Sequence, residues 1–437
     1  MKIPKRIAQA LINSLKGGVV PRVGLPYITV GRKREIDALL HDVEIIADGG
    51  ASFRFIVGKY GSGKSFLLQT IRNYVMGNNF VVVDADLSPE RRLQGTRGQG
   101  LATYKELIRN MSTKTKPEGG ALGLILDRWI SNVQQEVIQS ENIGITDPKL
   151  AELVEKRISA VIYSLSELVH GFDFARLLTL YYHAYLSGDD ETRAKVLKWF
   201  RGEYNTKTEA RQELGVNIVI TDDDWYEYLK IFASFLRQAG YSGMLILIDE
   251  LVNIYKIPNA ITRQYNYEKI LTMYNDAMQG KAQHLGIIMC GTPQCMEDPR
   301  RGVYSYEALR SRLAEGHFSG THQDLLSPVI RLQPLTSEEM LILIEKLADI
   351  HAGLYGYTQI VTGQDMVDFI GIEFARVGAD THITPREVIR DFIEVLDIVY
   401  QNPKLKVSEL LGSEAFSFAQ NAVDGEETGA EFAEFEL

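Results

Sequence analysis

The sequence predicts an α/β fold: a parallel sheet of five strands, interrupted by a large helical insert and followed by a helical lid domain. Three observations predict it. Five short runs are almost wholly apolar, β-branched or aromatic: Phe53-Arg-Phe-Ile-Val57, Phe80-Val-Val-Val-Asp84, Met244-Leu-Ile-Leu-Ile-Asp249, Leu285-Gly-Ile-Ile-Met-Cys290 and Val329-Ile-Arg-Leu332. Strands of that kind are buried on both faces, which is how a parallel sheet covered by helices reads. The chain between the runs has helical patterning, so strands and helices alternate. The helical stretch between the second and third runs, residues 95–240, is about 145 residues long, far beyond the dozen or so that a parallel crossover requires.

From the N-terminus, residues 3–16 suit one short helix, stopped by Gly17-Gly18. A Pro- and Gly-punctuated stretch follows, so residues 1–26 form a helix and linker. Tyr27-Ile-Thr-Val30 reads as a short extended piece before Gly31 and a charged amphipathic helix. Residues 27–94 and 241–334 carry the five strands and form the core, 95–240 the helical insert and 335–412 the lid. Tyr181-Tyr-His183-Ala-Tyr185 has aromatics at helical spacing, which is a core pattern rather than a base-stacking surface.

Composition narrows the class. The chain has 437 residues, 45% of them hydrophobic and 24% charged, enough to bury several cores without disulfides. Its two cysteines, Cys290 and Cys295, make neither a disulfide scaffold nor a zinc site. No apolar run approaches the ~20 residues of a membrane span, and the N-terminal segment lacks a secretory apolar stretch, so a cytoplasmic protein without membrane contact is expected. The net charge is −10, but residues 413–437 hold seven acids and no Lys or Arg, leaving −3 to the body. That segment reads as a disordered acidic tail. Its end, Glu431-Phe-Ala-Glu-Phe-Glu-Leu437, is also a candidate docking motif for a partner.

The chemistry concentrates in two places. Gly58-Lys-Tyr-Gly61-Ser62-Gly63-Lys64-Ser65 follows the first strand and opens a helix. Glycines there let backbone N–H groups turn around phosphates, and the helix N-terminus adds positive potential. Lys64 would reach the β- and γ-phosphates of ATP, and Ser65 would offer its hydroxyl to Mg²⁺. The third strand ends in Asp249-Glu250. Asp249 suits the metal, and Glu250 is placed to polarise an attacking water, which implies Mg-dependent hydrolysis rather than binding alone. Thr292, past the fourth strand, is a candidate to hydrogen-bond the γ-phosphate or that water.

In the order of these parts the chain resembles the AAA+ ATPases, of the branch that contains origin-recognition initiators. Val30-Gly31-Arg32-Lys33-Arg34-Glu35-Ile36 is similar to that branch's V-G-R-[ED]-x-E-[LI] box. The resemblance implies that the box, Gly31 included, packs against adenine. Ala308-Leu-Arg310-Ser311-Arg312-Leu313 resembles the element carrying the arginine finger, which implies that Arg312, or else Arg310, acts in trans in a homo-oligomer. Thr384-Pro385-Arg386-Glu387 resembles the sensor-2 segment, which implies that Arg386 touches the γ-phosphate. The region after the second strand faces DNA in this branch; here it holds Arg91, Arg92 and Arg97 in a glycine-rich loop, suited to phosphate-backbone contact without base reading.

A narrower resemblance is to the ATP-binding proteins of BREX phage-defence systems, of the BrxC/BrxD type. It rests on Gly58 to Leu68, on Val83-Asp-Ala-Asp-Leu-Ser-Pro-Glu-Arg-Arg-Leu93 and on the long insert. It implies an ATPase that assembles on DNA or on other defence proteins. An ATP-gated switch that acts on an effector without touching DNA, and a DNA loader or transposition-type regulator, remain open. No winged-helix domain is read after the lid.

Overall fold

The computed structural model describes residues 3–166, 168–314, 324–376 and 384–412. The chain divides into two compact units, Arg32–Gln333 and a second formed by Met1–Gly31 with Pro334–Leu437. The acidic residues from 413 onward lie outside the described residues.

The first unit is built on a five-stranded sheet: β1 (Ala51–Val57), β2 (Val81–Asp86), β3 (Met244–Asp249), β4 (Leu285–Gly291) and β5 (Val329–Arg331). All pairings are parallel, in the order β2-β3-β4-β1-β5. Every strand therefore ends on the same edge, where loops of open α/β sheets collect ligand-binding groups. The bounds differ from the expected ones by a residue or two, the usual fraying of strand ends.

The strands are apolar throughout because both faces are covered. Phe53, Phe55, Val57, Val83, Ile246 and Met289 point to one face, and Ile56, Val82, Leu245, Leu247 and Ile288 to the other. Helices Lys33–Ala47 and Lys64–Gly77 cover the second face, through Leu39, Val43, Leu67 and Ile71. On the first face the sheet residues join one continuous core with the insert, which holds the fully buried Trp129, Trp199 and Trp225. Seven helices make up the insert among the described residues, from Gln99–Arg109 to Trp225–Gln238. Tyr181 and Tyr182 are buried in it.

Arg54 is the exception to the apolar pattern of β1. It is buried, and its guanidinium pairs with both carboxylate oxygens of Asp42 at 2.6 and 2.7 Å while donating to the Leu326 and Ser327 carbonyls. A charge in mid-strand is tolerable because each of its polar directions finds an acceptor.

The second unit is helical in its described residues: Lys5–Lys16, Leu25–Ile28, Ser337–Tyr355, Gly363–Arg376, Pro385–Gln401 and Val407–Leu411. Leu25–Ile28 corrects the extended piece expected at residues 27–30. Pro26 stands at the start of this turn, where its fixed φ favours a helix, and the Thr29 hydroxyl donates back to the Leu25 carbonyl at 2.8 Å. His351 is wholly buried here, with its ring nitrogens 2.9 Å from the Tyr357 hydroxyl and 3.1 Å from Asp397 Oδ1. Among the described residues no helix is long and apolar enough to cross a membrane.

Candidate functional site

The glycine-rich segment forms the loop from the tip of β1 into helix Lys64–Gly77. Gly61 and Gly63 take φ of +76° and +94°, which only glycine adopts without strain. Gly58 is required for space instead, since a Cβ there would lie 2.4 Å from Ser62 Oγ and 3.3 Å from Leu332. Lys64 folds back along the loop and donates from Nζ to the carbonyls of Gly58 and Lys59, both at 2.9 Å. Partial burial pushes its ammonium below the ordinary lysine value, with Asp249 and Glu250 pulling it back up. A partly desolvated cation at a helix N-terminus suits an anion. Ser62 Oγ, buried with no hydrogen-bond partner among the described residues, is a further polar atom of the loop.

The sheet order places the acid strand two strands from β1, with β4 between. The Ser65 hydroxyl nevertheless donates to Asp249 Oδ2 at 2.7 Å, across 184 residues of sequence. A hydroxyl and a carboxylate held together in this way are hard oxygen donors of the kind that Mg²⁺ takes. The other oxygen, Asp249 Oδ1, accepts the Glu250 N–H at 2.7 Å.

Glu250 is exposed and sits at φ +60°, a left-handed conformation that is costly for a residue with a Cβ. The surrounding backbone imposes it. The Leu251 N–H bonds the Cys290 carbonyl of β4 at 3.1 Å, and the Asn253 N–H bonds the Glu250 carbonyl at 2.9 Å. Asn253 Nδ2 reaches across to the Leu87 carbonyl beyond β2 at 2.9 Å.

Two site residues escaped the sequence reading. Asp86 ends β2 in register with Asp249. Its carboxyl is pushed up to about 6, first by desolvation and then by the neighbouring charges of Asp249, Asp84 and Glu250. The Val83-Asp-Ala-Asp86 alternation carried the signal, but its register with β3 is a tertiary fact. Arg32, quoted only as part of a box, is buried behind the glycine-rich loop.

The remaining candidates are dispersed. Thr292 caps the short helix Pro293–Glu297, accepting the Cys295 N–H at 3.3 Å, and its own hydroxyl proton stays available. Arg312 is exposed and donates to the Ala308 carbonyl of its own helix at 2.7 Å, while Arg310 pairs with Glu307 at 2.7 Å. Gly31 and Arg386 belong to the helical unit. Gly31 has φ +67°, and a Cβ there would lie 2.6 Å from the Glu339 carboxylate. Arg386 is exposed at the second position of helix Pro385–Gln401.

The arginine loop is tied down despite its glycines. Asn266, wholly buried, accepts the Leu93 and Gln94 N–H groups at 2.9 and 3.0 Å and donates to the Gln94 carbonyl at 3.0 Å. Asp222 accepts the Gly98 and Leu101 N–H groups at 2.8 and 2.7 Å, filling the helix N-terminus that follows. Arg91 donates to the Asp86 carbonyl at 2.9 Å, Arg92 is half-buried, and Arg97 is exposed.

A phosphate-type loop between strand and helix, with an acid-bearing strand whose carboxylate meets the loop's serine, defines a P-loop nucleotide-binding protein. Over residues 3–415 the chain matches the family described as BREX system ATP-binding protein BrxC/D, and it belongs to that family. It is an ATP-binding protein of a phage-defence system. No curated protein matches the chain.

Proposed function

We propose that the protein hydrolyses ATP with Mg²⁺ as an AAA+ type oligomer, assembling on DNA or on partner proteins of the defence system. The observation that carries the hydrolytic reading is the Ser65–Asp249 hydrogen bond with the strained Glu250 next to it. Lys64 and the N–H groups of Gly61, Gly63 and Lys64 hold the β- and γ-phosphates. Ser65 and Asp249 would hold Mg²⁺, which would supply positive charge against the negative charge on the phosphates. Glu250 takes the proton of the attacking water, with Thr292 within the same edge of the sheet to orient it. Arg312, exposed and bonded to the Ala308 carbonyl of its own helix, acts in a neighbouring subunit, and Arg386 acts as the lid arginine.

A second reading is favoured by the tied-down arginine loop: an ATP-gated switch that engages a protein effector and not DNA. One experiment addresses both. ATP turnover of the full chain is measured with and without duplex DNA, alongside Lys64→Ala and Glu250→Gln. Lys64→Ala is expected to lose nucleotide binding; Glu250→Gln is expected to keep it and stop turnover. Equal ATP affinity for wild type and Lys64→Ala sinks the phosphate-site assignment. Turnover that DNA leaves unchanged, with no DNA bound in the presence of ATP, removes the DNA reading and leaves the switch.

A further inference from the structure

Arg32 opens the sheet-bearing unit and Gln333 closes it. The Arg32 side chain is buried, 5% exposed for the residue, and its fork spans two backbone carbonyls. Nη1 donates to Gln333 O at 2.9 Å and Nη2 to Ser62 O at 3.1 Å, with Glu35 Oε1 at 3.5 Å from Nη1. Ser62 lies in the glycine-rich loop, and Leu332, next to Gln333, donates its N–H to Val57 O at 2.8 Å, just before that loop. A buried guanidinium is expensive, and well-packed apolar side chains usually serve stability as well or better. Its presence at this position calls for a reason beyond packing.

Peptide geometry supplies one. In a trans peptide the C=O and the following N–H point in opposite directions, and no peptide among the described residues is cis. A donor that grips the Ser62 carbonyl from behind therefore turns the Gly63 N–H to the other side of the loop. Gly63 sits at φ +94°, with open space where a Cβ would stand and helix Lys64–Gly77 beginning at the next residue. Its N–H donates to no backbone acceptor among the described residues. The next residue is Lys64, whose Nζ bonds the Gly58 and Lys59 carbonyls at the start of the loop.

We propose that Arg32 is a positioning residue of the phosphate site: it fixes the Ser62–Gly63 peptide so that the Gly63 N–H faces the phosphates, and it anchors this peptide to the chain at Gln333. The proposal rests on the reading of the loop as the nucleotide site.

The test uses the full chain with Arg32→Lys, Arg32→Gln and Lys64→Ala. Affinities for ATP and AMP are measured by calorimetry, melting temperatures are recorded, and amide exchange is followed at Gly63. Lys keeps the charge but loses the fork, and Gln keeps short donors without charge. Arg32→Lys is expected to weaken ATP by about tenfold and AMP far less, since the held N–H faces the outer phosphates, and to speed exchange at Gly63. Arg32→Gln is expected to lose more than Arg32→Lys. A variant that melts lower yet keeps the wild-type ratio of ATP to AMP affinity assigns Arg32 to packing and overturns the proposal; if Arg32→Gln does not fold, Arg32→Lys decides. Unchanged ATP affinity in Lys64→Ala is a separate outcome and removes the nucleotide reading itself.

Discussion

Glu250 shows how a single residue can cost stability in order to be placed. Its left-handed backbone costs roughly 1–2 kcal/mol for a residue with a Cβ, and its exposed side chain buries little in return. Glycine relieves that strain but brings its own entropic cost of about 0.5–1 kcal/mol. Glu250→Gly is therefore expected to be more stable than wild type by about 0.5–1 kcal/mol in thermal unfolding, while losing ATP turnover. Glu250→Gln is expected to lose turnover with no gain in stability, because the amide keeps the Cβ and so the strain. A lower melting temperature for Glu250→Gly than for Glu250→Gln would show that the backbone is relaxed there.

Among the elements, helices Ser337–Tyr355 and Pro385–Gln401 of the helical unit are joined by His351 and Asp397, and Lys16 of helix Lys5–Lys16 donates to Asp397 Oδ2 at 2.5 Å. Burial pushes the His351 imidazole below its ordinary value, more strongly than Asp397 raises it. The neutral ring satisfies both neighbours when Nε2–H donates to Asp397 and Nδ1 accepts from the Tyr357 hydroxyl, an assignment inferred from the partners. The unfolded imidazole takes a proton near pH 6.5, the folded one only at lower pH, so below about 6.5 the unfolded state binds more protons. Stability of this unit is thus expected to fall as pH drops from 7 toward 5. Asp397, held below the usual carboxylate range by Lys16 and His351 in spite of desolvation, adds a loss of the same sign further down. His351→Gln should flatten the decline between pH 7 and 5 in melting curves; an equal slope in both proteins would remove His351 as its cause.

For the whole molecule the open matter is assembly. If Arg312 serves a neighbouring subunit, Arg312→Ala keeps ATP affinity but lowers kcat by about 10³, the scale of an arginine finger. Mixing Arg312→Ala with Glu250→Gln should then restore part of the turnover, since one chain supplies the finger and the other an intact acid. A mixture that stays inactive, with Arg310→Ala reproducing the loss alone, moves the role to Arg310, whose present partner is Glu307 on its own helix.

The sequence by itself determined much of the core. Short apolar runs rich in β-branched residues and bounded by turn signals read as strands covered on both sides, and all five were found with boundaries within a few residues. The loop from Gly58 to Ser65 was legible because its chemistry is local: glycines, a lysine and a serine at fixed spacing beside a strand and a helix. The place of Asp249 and Glu250 at the end of the third strand was legible because the apolar run stops where they begin. Tertiary structure decided what depends on partners far along the chain. It set the order β2-β3-β4-β1-β5, which brings Asp86 into register with Asp249 and Ser65 to Asp249 across the sheet edge. It gave Arg54 its partner Asp42 and Arg32 its two carbonyls. It also tied the arginine loop to Asn266 and Asp222, where glycine content alone suggested freedom. Spacing reports what the backbone does within a few residues, whereas a buried charge or an anchored loop is decided by whichever distant group satisfies its hydrogen bonds.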